Sequence, residues 1–166
     1  ENADGYSRMQ LLGREEVPLP GLGVVEHPVF SPDGSKLAFA FSSPTEPNDV
    51  YLSSDNDVSF TSLGLVSSMV FYKSVKTAPT NMARAYVSGY GGAPPLAYVW
   101  RTDNMGGSWT PSPLANVQYG STPTVLVAAV DPSNADVVYL ISQGANNSSG
   151  DRLYRARAYA TFSGGS

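Results

Sequence analysis

The 166-residue chain has no cysteine, a single histidine and only 14% charged residues. The absence of cysteine excludes a disulfide scaffold and a thiolate metal site. The formal net charge of −4 and the pI near 4.8 argue against nucleic-acid binding, which normally uses a basic patch. No apolar run approaches the roughly 20 residues that a membrane-spanning helix needs. We therefore expect neither a nucleic-acid partner nor a membrane span.

The residues that are abundant favour strands and turns. Sixteen glycines and thirteen prolines would interrupt long helices, and ten tyrosines suit half-buried strands. Period-two alternation is clearest in residues 37–41 and 97–100. A low charge content with much Ser, Thr, Asn and Gly is typical of exported proteins, so we expect an extracellular or cell-surface location. The three arginines Arg152, Arg155 and Arg157 are too few for a basic stripe, and we expect Arg155 and Arg157 to share one face of a strand.

A short motif repeats along the chain. Residues 53–60 read Ser-Ser-Asp-Asn-Asp-Val-Ser-Phe, and altered copies stand at 101–109, 155–162 and 1–8. Aligning Asp55 and Asp103 with Ala3 and Arg157 spaces the copies about fifty residues apart. A second marker recurs in phase with the first: a turn that contains proline, followed by a strand centred on Phe39, Tyr86 or Tyr139. Two markers in phase indicate a true structural repeat.

The motif S-x-D-x-G-x-[ST]-[WF] resembles the Asp-box, or BNR repeat, of sialidase-like β-propellers. This resemblance implies an all-β fold, a partial β-propeller of about three four-stranded antiparallel blades with Asp-box turns. The whole chain, 1–166, would form one unit, with repeats at about 3–54, 55–102 and 103–156 and a partial blade at each end. A β-sandwich of some ten strands is the alternative, but it would not require both markers to recur together.

Each repeat is predicted to contain four strands. The first strands are 25–30, 69–75 and 124–130, and the second are 37–41, 84–88 and 137–141. The third strands are 49–53, 97–102 and 152–158, and the fourth are 60–65, 109–114 and a stub at Phe162.

The motif is interpreted as a structural turn between the third and fourth strands. An Asp carboxylate can accept backbone N–H groups, a Gly can adopt positive φ, and the final ring can pack between sheets. In the second copy, Trp109 stands six residues after Asp103 where Phe60 stands five after Asp55, which predicts a bulged turn. The structural residues are Ser53, Asp55, Asp57, Phe60, Asp103, Gly106, Gly107, Trp109 and Phe162. A calcium site at Asp55, Asp57 and Asp103 is disfavoured because no bidentate Glu follows at EF-hand spacing. We expect no metal and no cofactor.

Ligand binding is expected at the opposite end of the blades, where loops join the second strand to the third and one blade to the next. Tyr90 and Tyr119 could present rings to a sugar, and Glu15, Glu16 and Glu46 could accept its hydroxyl groups. No catalytic residue is predicted. The acids Glu15, Glu16, Glu46 and Asp49 form no motif for the two-carboxylate chemistry of glycosidases, and His27 has no visible partner.

We interpret the chain as a non-catalytic binding or scaffold module of a larger exported or surface protein, with a carbohydrate or protein ligand. One alternative is a fragment of a sialidase-like glycoside hydrolase whose catalytic residues lie partly outside this chain. Another is a structural subunit that assembles through exposed blade edges. The expected partners are further blades, from the same protein or from another copy, that complete the propeller.

Overall fold

A computed structural model describes residues 23–31, 33–34, 36–43, 47–53, 59–65, 67, 69–114, 124–143 and 150–158, without the side chains of Glu26, His27 and Met82. These residues form eleven β-strands and no helix. The strands are β1 (Val24–Phe30), β2 (Leu37–Ser42), β3 (Asp49–Ser53), β4 (Thr61–Ser62), β5 (Val70–Ala78), β6 (Asn81–Gly91), β7 (Leu96–Thr102), β8 (Thr110–Pro113), β9 (Val125–Asp131), β10 (Asn134–Ser142) and β11 (Arg152–Arg157).

The strands make three antiparallel sheets, each built from consecutive strands. Sheet 1 has the order β1-β2-β3-β4, sheet 2 the order β5-β6-β7-β8, and sheet 3 the order β9-β10-β11. The prediction of an all-β fold with antiparallel sheets is therefore confirmed. The stub predicted at Phe162 lies outside the described residues. The division of the sequence into three repeats with partial blades at both ends stays a prediction.

Local hydrogen bonds, from the backbone or from short polar side chains, close the hairpins between first and second strands. Gly34 donates its N–H to the Ser31 carbonyl at 2.8 Å and has a φ of +73°, which a glycine adopts without a Cβ clash. In the third sheet, Asp131 accepts the backbone N–H of Ser133 at 2.9 Å and its hydroxyl at 2.7 Å. These bonds, the Ser133 hydroxyl first, lower the pKa of Asp131 below its ordinary value. Such Asx-type turns fix where each hairpin reverses.

The sheets pack face to face through their first strands, because β5 contacts both β1 and β9. One apolar cluster lies between sheets 1 and 2, and a second lies between sheets 2 and 3. Successive residues of β6 point to opposite faces of sheet 2. Val87 packs in the cluster shared with sheet 1, and Tyr86 packs in the cluster shared with sheet 3. Sheet 2 therefore buries both of its faces, as the middle layer of three must.

The two ends of the sheets differ in what they carry. The upper end, as we call it, is where β1, β5 and β9 begin and where β2, β6 and β10 end. The lower end carries the first-to-second hairpins and the turns that join third to fourth strands. Loops that connect second to third strands lie at the upper end.

Candidate functional site

A partly exposed aromatic pair stands at the upper end of sheet 2. Phe71, near the start of β5, is directly opposite Tyr90, near the end of β6. Their rings stack with centroids 5.5 Å apart and planes 28° apart. Phe71 remains 43% exposed, and Met69, just before β5, is 68% exposed. The upper end therefore presents apolar surface, which is the kind of surface that ligands use.

Two glycines allow the chain to bring these rings together. A Cβ at Gly89 would lie 2.5 Å from the carbonyl oxygen of Phe71, and one at Gly91 would lie 2.6 Å from that of Met69. Both distances are too short for any side chain. The Gly-Tyr-Gly sequence around Tyr90 thus lets β5 approach β6 closely and sets the position of Phe71.

The start of β5 is also held by Asn48, which is buried in the loop end of sheet 1. Its Nδ2 donates to the Val70 carbonyl at 2.7 Å, and its Oδ1 accepts the Ser43 N–H at 3.0 Å. Its backbone pairs with Ser67 in both directions at 2.8 Å. One amide therefore ties the loop of sheet 1 to the strand that carries Phe71.

A buried polar cluster lies beneath this clamp. Asp49 is 1% exposed, accepts the Val50 N–H at 2.7 Å and accepts a short hydrogen bond from the Ser62 hydroxyl. Tyr72 is buried with its hydroxyl donating to the Leu65 carbonyl at 2.5 Å, and its ring meets Trp100 edge-on at 5.3 Å. Burial, and secondly the negative charge of Asp49, raise the pKa of the Tyr72 hydroxyl far above its ordinary value. Asp49 thus has structural partners and does not face solvent as a catalytic acid would.

Sheet 3 is joined to sheet 2 close to the aromatic pair. The hydroxyls of Ser74 and Ser88 lie 2.6 Å apart, and Ser74 Oγ accepts the Val127 N–H at 2.8 Å. This buried link fixes the first strand of sheet 3 against the strands that carry Phe71 and Tyr90.

Of the predicted ligand residues, Tyr90 lies in the described part of the chain, and it stands at the end expected for binding. Tyr119, Glu15, Glu16 and Glu46 lie outside the described residues. Sequence reasoning missed Phe71 and Asn48. The sequence pattern places Phe71 in a first strand and no more, and the signal that could reveal it is its position opposite the Gly-Tyr-Gly run.

The turn at 102–109, at the lower end, differs from the predicted register. Thr102 Oγ1 accepts the backbone N–H of Asn104 at 3.3 Å and of Gly106 at 2.9 Å. Asn104 Oδ1 accepts the Ser108 N–H at 2.8 Å, and Asn104 Nδ2 donates to Ser108 Oγ at 3.0 Å. Asn104, not Asp103, therefore stands at the position predicted for Asp103. Trp109 follows Asn104, the residue that makes these bonds, by five positions, the same interval as between Asp55 and Phe60.

Asp103 has a different role from the one predicted. It forms ion pairs with Arg84 Nε at 2.5 Å and with Arg101 Nε at 3.0 Å, the second by distance only, without the alignment of a hydrogen bond. Arg84 also forms a close pair with Asp136 of sheet 3. Asp103 therefore belongs to an ion network that links sheets 2 and 3, while Gly106 and Gly107 do lie in the turn. Met105 and Gly106 both adopt positive φ there.

The rings that end the first two internal copies, Phe60 and Trp109, both pack on sheet 1. Trp109 Nε1 donates to the Leu63 carbonyl at 2.7 Å, and Phe60 meets Phe39 edge-on at 5.0 Å. Ser53 ends β3 as a buried residue. Asp55, Asp57 and Phe162 lie outside the described residues.

Two cavities lie between the sheets, and neither suits a sugar. Their volumes are about 90 and 40 Å³, below the roughly 300–1,000 Å³ of small-molecule sites. Among the residues that the structure describes, no Asp or Glu lines either one. In the described part of the chain, no group of three or more His, Asp or Glu side chains could hold a metal ion. Nor does that part contain a helix able to cross a membrane.

No protein-family model and no curated protein sequence matches the chain. Solved structures do match its fold. A GH74 enzyme from Niastella koreensis is similar over 79% of this chain and 23% of its own, with 18% identity and a TM-score of 0.53. The GH74 xyloglucanase from Xanthomonas campestris is similar over 90% of this chain and 25% of its own, with 9% identity and a TM-score of 0.51. The chain thus spans about a quarter of the length of these structures. Both are β-propellers, and the three sheets of this chain have the corresponding fold.

Proposed function

We propose that this chain supplies polysaccharide-binding blades to a larger carbohydrate-active β-propeller protein. The observation that carries the proposal is the stack of the exposed Phe71 on the half-buried Tyr90 at the upper end of sheet 2. Sugar rings have apolar C–H faces, and these faces pack well on aromatic rings whose geometry is already fixed. The fold similarity to two GH74 enzymes, one of them a xyloglucanase, supports carbohydrate as the ligand class.

Tyr119, Glu15, Glu16 and Glu46 complete this proposal as further ligand residues. The loops that contain them are expected at the same end of the sheets as Phe71 and Tyr90. Their hydroxyl and carboxylate groups would bond the sugar hydroxyls while the rings take the apolar face. A polysaccharide ligand also supports an extracellular or cell-surface location.

We further propose that the turns at 53–60 and 102–109 are Asp-box turns, with Asn104 replacing Asp in the second. Read from Thr102, the sequence is Thr-x-Asn-x-Gly-x-Ser-Trp, which fits the motif without an insertion. The bonds of the Asn104 side chain to Ser108 support this assignment.

The binding proposal can be tested by affinity electrophoresis through gels that contain xyloglucan, cellulose derivatives or β-1,3-glucan. A buried Phe side chain contributes roughly 1.5–3 kcal/mol, so Phe71→Ala should weaken binding at least about tenfold. Phe30→Ala is a matched control, because Phe30 is also exposed (59%) but ends β1 at the lower end of sheet 1, away from Phe71. The proposal fails if none of the gels retards the chain, or if both variants bind equally well.

Glycoside hydrolysis is the second candidate function, because both similar solved structures are enzymes. Hydrolysis needs two carboxylates that flank the bond to be cut. Asp49 is buried and bonded to Ser62, so it does not supply one of them. We therefore expect the 166-residue chain to bind xyloglucan without releasing reducing sugar. Turnover by this chain alone would favour the second candidate.

A further inference from the structure

The face of sheet 3 that points away from sheet 2 carries a row of apolar side chains. Leu126, Ile141 and Leu153 lie opposite one another across β9, β10 and β11. Their neighbours Val127, Leu140 and Tyr154 contribute to the cluster shared with sheet 2, so this row points outward. Leu153 is 69% exposed. Together with the half-buried Leu126 and Ile141, it forms a contiguous apolar strip, the kind of surface that marks an interaction site.

A Tyr–Arg pair lies next to this row. An equivalent pair in sheet 2 contacts sheet 3. Tyr139 is opposite Arg155 in sheet 3, just as Tyr86 is opposite Arg101 in sheet 2. In sheet 2, Tyr86 donates its hydroxyl to the Ala135 carbonyl at 2.7 Å, and Arg101 Nη1 donates to the Ala158 carbonyl at 3.3 Å. Ala135 lies in β10 of sheet 3, and Ala158 directly follows β11 of the same sheet. The pair therefore binds backbone oxygens of the following sheet.

We propose that the outer face of sheet 3 docks a further antiparallel β-sheet, supplied by polypeptide outside these 166 residues. Its hairpin between first and second strands would bring a carbonyl to Tyr139, and the end of its third strand would bring one to Arg155. Its apolar face would cover Leu126, Ile141 and Leu153. The two similar solved structures are more than three times as long as this chain and have room for such sheets. This inference does not depend on the carbohydrate ligand.

A second copy of the chain fits this face poorly. Head-to-tail docking would need the far face of sheet 1 to be open, but Phe39 and Phe41 on that face are only 2% and 1% exposed. Docking of two sheet 3 faces would bring Arg155 and Arg157 of one copy toward those of the other, and like charges repel.

Because the chain has no cysteine, a single introduced cysteine can be labelled selectively, which permits a direct test. In the full chain, Leu153→Cys should react with a maleimide as fast as Thr80→Cys, which stands in the exposed turn between β5 and β6. A second copy of residues 115–158 is then appended after Ser166 to supply the docking sheet. This segment is chosen because sheet 3 already docks on the Tyr86–Arg101 pair of sheet 2. Labelling of Leu153→Cys in the first copy should slow by at least about tenfold, while labelling of Thr80→Cys stays unchanged.

Replacing Tyr139 by Ala and Arg155 by Glu in the first copy should restore fast labelling. Equal labelling of Leu153→Cys with and without the appended sheet would overturn the proposal. Two results on the 166-residue chain would overturn it even if the appended sheet does not fold. One is slow labelling of Leu153→Cys, which would mean that the face is already covered. The other is self-association in sedimentation that Leu153→Lys abolishes, which would make a second copy the partner.

Discussion

Asn104 bridges its turn to Ser108 with both atoms of its carboxamide: Oδ1 accepts the Ser108 N–H at 2.8 Å and Nδ2 donates to Ser108 Oγ at 3.0 Å. An Asp side chain at this position could still accept the Ser108 N–H. It has no N–H to donate, so the Ser108 hydroxyl would have to act as donor instead of acceptor. The turn places Trp109, whose indole reaches the Leu63 carbonyl of sheet 1. Asn104 therefore connects a local turn to the contact between sheets 1 and 2.

Asn104→Ala should destabilise the protein by about 1 kcal/mol, because it removes the bonds that close the turn. Asn104→Asp keeps the acceptor and should cost less. Denaturant unfolding monitored by Trp fluorescence measures both. If Asn104→Ala left the stability unchanged, the register assigned to this turn would be wrong.

Gly89→Ala should displace the start of β5, because its Cβ would lie 2.5 Å from the Phe71 carbonyl oxygen. Overpacking of this kind costs about 1–3 kcal/mol. We also expect weaker xyloglucan retention, since Phe71 shifts with its strand. Thermal unfolding and affinity electrophoresis measure the two effects, with Ser112→Ala on exposed β8 as the control. Unchanged values in both would show that the close approach of β5 and β6 does not matter.

Stability should fall above about pH 10, the ordinary pKa of tyrosine, because burial raises the pKa of Tyr72 in the folded state. In that range the unfolded chain releases the Tyr72 proton while the folded chain keeps it, so deprotonation favours unfolding. Tyr72 should contribute a loss of at most about 1.4 kcal/mol per pH unit.

Tyr72→Phe tests this pH dependence. The variant loses the bond to the Leu65 carbonyl and should be less stable at pH 8 by about 1 kcal/mol. Its stability should then fall less steeply than that of the native chain between pH 10 and 11. Parallel curves for the two proteins in urea unfolding would contradict the assignment.

Arg84 and Asp136 should show a small favourable coupling across sheets 2 and 3, in line with the 55% exposure of the Asp136 side chain. A double-mutant cycle with Arg84→Ala and Asp136→Ala should give about 0.5–1 kcal/mol. In 1 M salt the screening length falls to about 3 Å, so the coupling should shrink. A coupling that does not respond to salt would mean that the contact is not chiefly electrostatic.

The strands could be predicted well because turns mark their ends. Turn residues such as Gly34 and Asp131 close hairpins by local bonds, so their positions are visible in the sequence. The register of 102–109 could not be read from residue types, because Asp103 and Asn104 are adjacent and both can cap a turn. Only the contacts separate them: Asp103 pairs with Arg84, and Asn104 bonds Ser108.

The candidate site could be predicted only in part, for a similar reason. Tyr90 stands in a loop-end sequence, from which it is predicted as a ligand residue, but its stack with Phe71 depends on pairing across β5 and β6. The register there shifts between Tyr72 and Ser74, so the pairing is set by tertiary structure. Likewise, Phe39 was grouped with Tyr86 and Tyr139. Its neighbours Ala38 and Ala40 pack toward sheet 2, so Phe39 points to the other face of sheet 1.

The most direct test of the carbohydrate-binding face uses the methionine methyl groups as reporters in NMR. Met69 is 68% exposed at the upper end beside Phe71, and Met105 is 42% exposed at the lower end. During titration with a xyloglucan oligosaccharide, the Met69 methyl signal should shift and saturate while the Met105 signal stays in place. A shift of Met105 alone, or no shift of Met69 at saturating oligosaccharide, would contradict the account.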